Sequence, residues 1–226
     1  RRGPRPARRM SASPQPKRAV VFDLDGTLLD SLPLVLEAIR HALEPFGGSP
    51  TMDIFARLGG PPERFLADLL PDPVHVPEAL QRLVAFHRRN HHLIQPYAGA
   101  TDTLRDLRAR RVPAGIWTGR DRASTRTLLA AHGLEGIVAE VVCGDDLPSH
   151  KPDPAGLLAL VARLGCAPAE VLLVGDADVD VLGGHAGGVE TVLIRHQRRI
   201  DPAVAAVCWR NVASPAEAYG LVRQTL

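Results

Sequence analysis

Short apolar runs alternate with stretches of helical spacing along most of this chain. Ala19-Val20-Val21-Phe22 is a β-branched and aromatic run that stops at Asp23, and similar runs recur at 114–117, 137–142, 171–174 and 191–194. Continuous apolar character over so few residues fits strands covered on both faces, as in a parallel sheet. Between them, residues 101–110, 122–131, 154–164 and 178–186 place apolar side chains at helical intervals. Strands alternating with helices of that length predict βαβ units, whose chemistry gathers at the carboxyl ends of the strands.

The alternation breaks once. Between Asp30 and Pro96 the stretches 32–43, 53–58, 63–70 and 77–87 all have helical spacing and are separated by Pro and Gly. The pattern predicts an α/β protein with a parallel-sheet core and a helical insert of about 60 residues after the first strand, enough for a small second domain over the sheet's carboxyl edge. The boundaries expected are a core of residues 18–31 and 96–226 and a cap of residues 32–95. Residues 1–17 are rich in Pro, Arg and Ser, lack apolar periodicity and are expected to stay disordered.

Composition narrows the classes. The chain has 226 residues, 45% hydrophobic and 23% charged, with a mean hydropathy of −0.02. Its formal net charge is only +2, so no overall field favours nucleic acid. The basic tail has no aromatics on which bases would stack. No apolar run approaches the roughly 20 residues needed to cross a bilayer. Cys143, Cys166 and Cys208 are odd in number and far apart, which reads as reduced thiols and not a disulfide framework or zinc site. The expectation is a cytoplasmic protein, a monomer or weak homodimer, with neither membrane nor nucleic acid as partner.

Four short segments at expected strand ends carry polar chemistry. In Asp23-Leu24-Asp25-Gly26-Thr27 two carboxylates stand two residues apart, where a cation or shared proton would relieve their repulsion. The bland reading is a turn after a strand. Thr118-Gly119-Arg120 offers a hydroxyl where a phosphate oxygen is held, or simply starts a helix. Lys151-Pro152-Asp153-Pro154 aims a lysine from a backbone restricted by proline. Gly175-Asp176-Ala177-Asp178-Val179-Asp180 clusters carboxylates suited to a hard cation, or caps a helix. A nucleophile, a metal site and fixed donors are the parts that phosphoryl transfer needs.

Taken together, these segments resemble the haloacid dehalogenase superfamily, in its branch of phosphatases with a helical cap after the first strand. The resemblance runs from Arg18 to about Val212 and rests on V-F-D-L-D-G-T-L-L-D-S, on Pro96-Tyr97-Ala98-Gly99-Ala100, on K-P-D-P and on G-D-x-x-x-D. It implies a Rossmann-like α/β core with a small, mobile α-helical cap domain inserted after the first strand, in which Asp23 forms an aspartyl-phosphate and Asp25 serves as acid and then base. Thr118, Gly119 and Lys151 would hold the phosphoryl group. Mg²⁺ would be bound by Asp23, the backbone carbonyl of Asp25 and Asp176, with Asp180 in support. Ala177 and Gly183-Gly184-His185 depart from the family's usual residues beside the metal loop. The acid at Asp25 favours phosphate esters over carbon–halogen or carbon–phosphorus bonds.

The implied function is Mg²⁺-dependent hydrolysis of a small phosphorylated metabolite. A phosphohexose mutase and a phosphate-binding module without turnover are the alternatives. A mutase would need a bisphosphate activator and release little phosphate, and the binding module would hydrolyse nothing. Weaker signals lie around these segments. Arg120 is placed to meet a second anionic group, or is an exposed helix start. The loop 57–64, with Arg57 and Arg64, resembles one through which related caps read substrates. His87 and His91 have the i, i+4 spacing of a metal pair, yet no acid accompanies them, so His87, His91 and His92 read as a solvated helix end.

Overall fold

The structure is a computed structural model that describes residues 16–47, 50–51, 54–55 and 62–226. Its strands, in chain order, are β1 (Ala19–Phe22), β2 (Leu29–Asp30), β3 (Gln95–Pro96), β4 (Ala114–Trp117), β5 (Glu140–Val142), β6 (Val171–Gly175), β7 (Glu190–Ile194) and β8 (Arg210–Val212). Six of them form one parallel sheet in the order β5-β4-β1-β6-β7-β8. The continuous apolar runs follow from this layout, because side chains alternate between two covered faces. Val20 and Phe22 join Leu104, Leu107, Ile116, Leu128 and Tyr219 on one face, while Ala19 and Val21 join Trp117, Leu157, Leu160 and Val161 on the other.

Helices α4 (Ala100–Ala109), α5 (Arg122–Ala131), α6 (Ala155–Arg163) and α7 (Asp178–Ala186) lie within a residue or so of their expected limits. The strand expected at 137–142 begins only at Glu140. Ile137 and Val138 pack their side chains on the core, but their N–H groups are taken by Leu134 O in a turn. Three terminal elements were not expected from the pattern: the edge strand β8, α8 (Pro202–Val207), whose short apolar run has no polar face to mark a helix, and α9 (Pro215–Thr225).

The segment after β2 holds α1 (Leu32–Leu43), α2 (Pro62–Leu69) and α3 (Val76–Asn90), which build a separate apolar cluster from Ile39, Ala42, Leu43, Leu66, Leu70 and Ala79. Fully burying an aliphatic side chain such as Ile39 contributes roughly 1.5–3 kcal/mol. Arg82 of α3 adds two hydrogen bonds to His41 O on α1, at 3.1 and 2.9 Å. The helix expected at 53–58 lies largely outside the described residues. The chain enters and leaves this segment side by side, since β2 and β3 pair antiparallel with Leu29 opposite Pro96. Residues 1–15 of the expected tail also lie outside the described residues. Lys17, placed in that tail by the sequence, is instead anchored to the core by Ala169 O at 2.8 Å and by Glu190 at 3.0 Å.

Candidate active site

β1 is the central strand, and its register sets Phe22 against Ile116 of β4 and Val174 of β6. The residues that follow the three strands, Asp23, Thr118 and Asp176, therefore open on one cavity at the carboxyl edge. Asp23 is held there by its own N–H, which donates to Val174 O at 2.8 Å. Beyond it the chain folds into a tight loop closed by Leu28 N and Leu29 N to Leu24 O, at 3.0 and 2.9 Å. Gly26 has φ +74° and passes so near β6 that an added Cβ would lie 2.3 Å from Asp176 Oδ2. Tyr219 donates to Thr27 O at 2.6 Å, and His196 Nε2 donates to Gly26 O at 2.8 Å, so core residues distant in sequence fix this loop.

Three carboxylates and one ammonium meet beside this loop. Lys151 Nζ donates to Asp23 Oδ1 at 2.7 Å and to Asp180 Oδ1 at 2.6 Å, and all three groups are buried. Trp117 lies against the same ammonium, 4.6 Å from ring centre to nitrogen. The second oxygen of Asp180 accepts Ala177 N–H at 3.0 Å, so each oxygen of that carboxylate has a partner. Among the described residues the Asp176 carboxylate accepts one long contact, from Thr27 Oγ1 at 3.5 Å, while its backbone carbonyl accepts from Arg198 at 2.9 Å. Burial, with the neighbouring Asp180 and Asp25 charges, pushes the Asp23 carboxyl up to about 7 against the opposing pull of Lys151. Burial together with Asp23 and Asp180 raises Asp176 well above the carboxylate range. Burial would lower Lys151, yet Asp180 and Asp23 outweigh it and keep the amine protonated.

Ligand oxygens of Asp23, Asp176 and Asp180 all lie within 4.8 Å of one another. Three buried acids facing one amine leave an excess of negative charge that a hard divalent cation would neutralise. The donor set thus fits a metal. Asp23 Oδ2 and the Asp176 carboxylate are the most available to it, because each oxygen of Asp180 already accepts a hydrogen bond.

Asp25 lies apart from that cluster. Both of its oxygens accept from Arg120, with Nε to Oδ2 at 3.0 Å and Nη2 to Oδ1, and Ser31 Oγ also donates to Oδ1. Burial would raise Asp25, but the Arg120 guanidinium and the Ser31 hydroxyl hold it below the usual carboxylate range. The remaining Arg120 nitrogen, Nη1, is 2.9 Å from Nε2 of His87 on α3. Arginine has only donors, so His87 Nε2 is the acceptor and its proton is on Nδ1. Two expectations are corrected here. Arg120 is not an exposed helix start, having a side chain 9% exposed, and His87 is not a solvated helix end. Neither its partner nor its burial could be read from an i, i+4 histidine spacing.

A cavity of about 600 Å³ lies between the strand ends and the three helices after β2. Asp23, Asp25, Thr118, Gly119, Arg120, Lys151, Asp176 and Asp180 line one wall. Thr118 is buried, and its Oγ1 accepts Arg120 N–H at 3.1 Å. The opposite wall is apolar, with Val35, Phe55, Phe65, Leu83 and Val84, and carries His87, Arg88 and His91. Arg64 is exposed and is not among the described residues lining the cavity; its neighbour Phe65 is. Arg57 lies outside the described residues. Ser31, which binds Asp25, had no motif-independent signal in the sequence.

This arrangement of strand, loop and carboxylates is that of a known class. The chain belongs to the haloacid dehalogenase-like hydrolase family, whose model matches residues 20–194. It is 35% identical over 192 residues to a phosphoglycolate phosphatase of Cereibacter sphaeroides, covering 81% of this chain and 87% of the relative. The phosphoglycolate phosphatase of Pseudomonas putida is 32% identical over 205 residues, covering 81% and 73%. A phosphorylated carbohydrates phosphatase of Thermotoga maritima is 28% identical over 217 residues, covering 92% and 99%. The fold matches a crystal structure of a hydrolase from Pseudomonas syringae with a TM-score of 0.78, at 22% identity over 92% of this chain and 99% of that one. Among the described residues, no helix is long and apolar enough to cross a membrane.

Proposed function

We propose that the chain is a Mg²⁺-dependent phosphatase of small phosphorylated metabolites, with Asp23 as nucleophile. The observation that carries this reading is the Asp23 carboxylate, buried at the end of β1, bonded to Lys151 and open to the cavity beside Asp176. The relatives named as phosphatases of phosphoglycolate and of phosphorylated carbohydrates support the substrate class. Mg²⁺ held by Asp23, the Asp25 carbonyl and Asp176 would neutralise charge on the phosphoryl group and its nucleophile.

The chain's own groups account for the rest. An Asp23 oxygen forms the new bond to phosphorus while the bond to the leaving oxygen breaks, and Asp25 gives that oxygen a proton. Water then attacks phosphorus, Asp25 takes its proton back from the water, and Asp23 is released with inorganic phosphate. Lys151 and the Thr118 hydroxyl hold the phosphoryl oxygens, and Asp180 fixes Lys151. Residues 32–95 serve as a cap that excludes water from the cavity and chooses the leaving group. The test is phosphate release from a panel of esters by wild type and by Asp23→Asn, with and without Mg²⁺. Release that survives in Asp23→Asn, or that needs no divalent ion, would overturn the assignment.

A further inference from the structure

We propose that Arg120, braced by His87 from the cap, is a latch on Asp25 that an anionic group on the leaving part of the substrate opens. The inference rests on the phosphatase reading, and it assigns to Arg120 and His87 the recognition of a second negative charge on the leaving group. The geometry supplies the reason. Both oxygens of Asp25 accept from Arg120, and one accepts from Ser31 as well. An acid must turn an O–H toward the leaving oxygen, so Asp25 has to give up at least one of these bonds. Arg120 cannot simply be left behind, because its side chain is 9% exposed and an unpaired buried guanidinium is strongly unfavourable. His87 occupies one donor but contributes no negative charge, since its Nε2 acts as a neutral acceptor.

A carboxylate or phosphate on the leaving group resolves the conflict by taking the place of Asp25 on Arg120. Asp25 is then free to swing to the scissile bond. A neutral leaving group offers no replacement and must work against the intact latch. His87 is a positioning residue in this scheme. It holds Arg120 toward the cavity after Asp25 has let go, and ties that exchange to the cap helix α3.

The experiment compares two esters of equal size, 2-phosphoglycolate and 2-hydroxyethyl phosphate, which differ in the carboxylate. Wild type should favour the carboxylate ester in kcat/KM by about ten- to a hundredfold, the range of a charged hydrogen-bonded pair. Arg120→Gln should bring the two esters to near equality from both sides: the carboxylate ester loses its partner, and the neutral ester gains because Asp25 is no longer held. His87→Ala should raise KM for the carboxylate ester by about two- to tenfold, a larger change than in its kcat or in either constant for the neutral ester. His87→Gln, which keeps an acceptor, should restore most of that KM. Equal losses on both esters in Arg120→Gln would overturn the latch, as would a wild-type ratio near one or a Gln variant as damaged as Ala. If wild type released phosphate from neither ester nor from an aryl phosphate, the phosphatase reading itself would fall, and the latch with it.

Discussion

The backbone of Gly26 approaches Asp176 so closely that a single methyl group on it would sit 2.3 Å from Oδ2. The loop of the proposed nucleophile and the loop of the metal-ligand candidate are thereby locked to one spacing. Gly26→Ala meets both that contact and a φ of +74°, and the left-handed backbone alone costs an L-residue about 1–2 kcal/mol. The variant should lose at least that much stability in urea unfolding and bind Mg²⁺ more weakly. A loss under about 0.5 kcal/mol would mean the loops can separate freely.

Asp23→Asn should separate chemistry from stability. An amide forms no acyl phosphate, so turnover should fall by several powers of ten. The same change removes one of three mutually repelling buried acids, Asp23, Asp176 and Asp180. The metal-free variant should therefore melt no lower than wild type, whereas loss of a purely structural ion pair with Lys151 would lower the melting temperature.

Mg²⁺ binding should release protons near neutral pH. Burial and the Asp180 and Asp25 charges raise Asp23 to about 7 in the metal-free protein, and a ligating carboxylate must be ionised. A carboxyl raised on folding binds its proton better when folded, so metal-free stability should decline as pH rises from about 4 through 7. Added Mg²⁺ should reverse that decline and raise the melting temperature. Calorimetric titration at pH 6.5 in buffers of different ionisation enthalpy measures the proton directly. Heats independent of buffer would refute this charge balance.

His87 should make the protein acid-sensitive. Burial, followed by the Arg120 charge, lowers it to about 4 from an unfolded value of about 6.5. The unfolded chain then binds the proton better, so the His87 contribution is complete above pH ~6.5 and disappears as pH falls toward 4. Because the ring is only partly buried, the contribution is on the order of 1 kcal/mol. His87→Gln should flatten the dependence of melting temperature on pH between 4 and 6.5. Parallel curves for the two proteins would show that other groups set the acid limb.

The apolar runs and their helical spacers determined the sheet, because a strand buried on both faces must be apolar throughout and a crossover helix must show one apolar stripe. Asp23, Thr118 and Asp176 were legible for the same reason, since each closely follows a strand pattern that ends at the sheet's carboxyl edge, and Lys151 closely precedes a helical pattern that starts there. The polar edge strand β8 and α9 left no such trace, because they lie where one face or more stays wet. Tertiary structure alone decided the partners of the polar groups. Asp25 takes Arg120 from 95 residues away and Ser31 from 6, Arg120 takes His87 from 33, and Tyr219 reaches the Thr27 carbonyl across 192. Hydrogen bonds and ion pairs act over a few ångströms and carry no periodicity along the chain. They come into being only when the sheet and the three helices have set which side chains share a cavity.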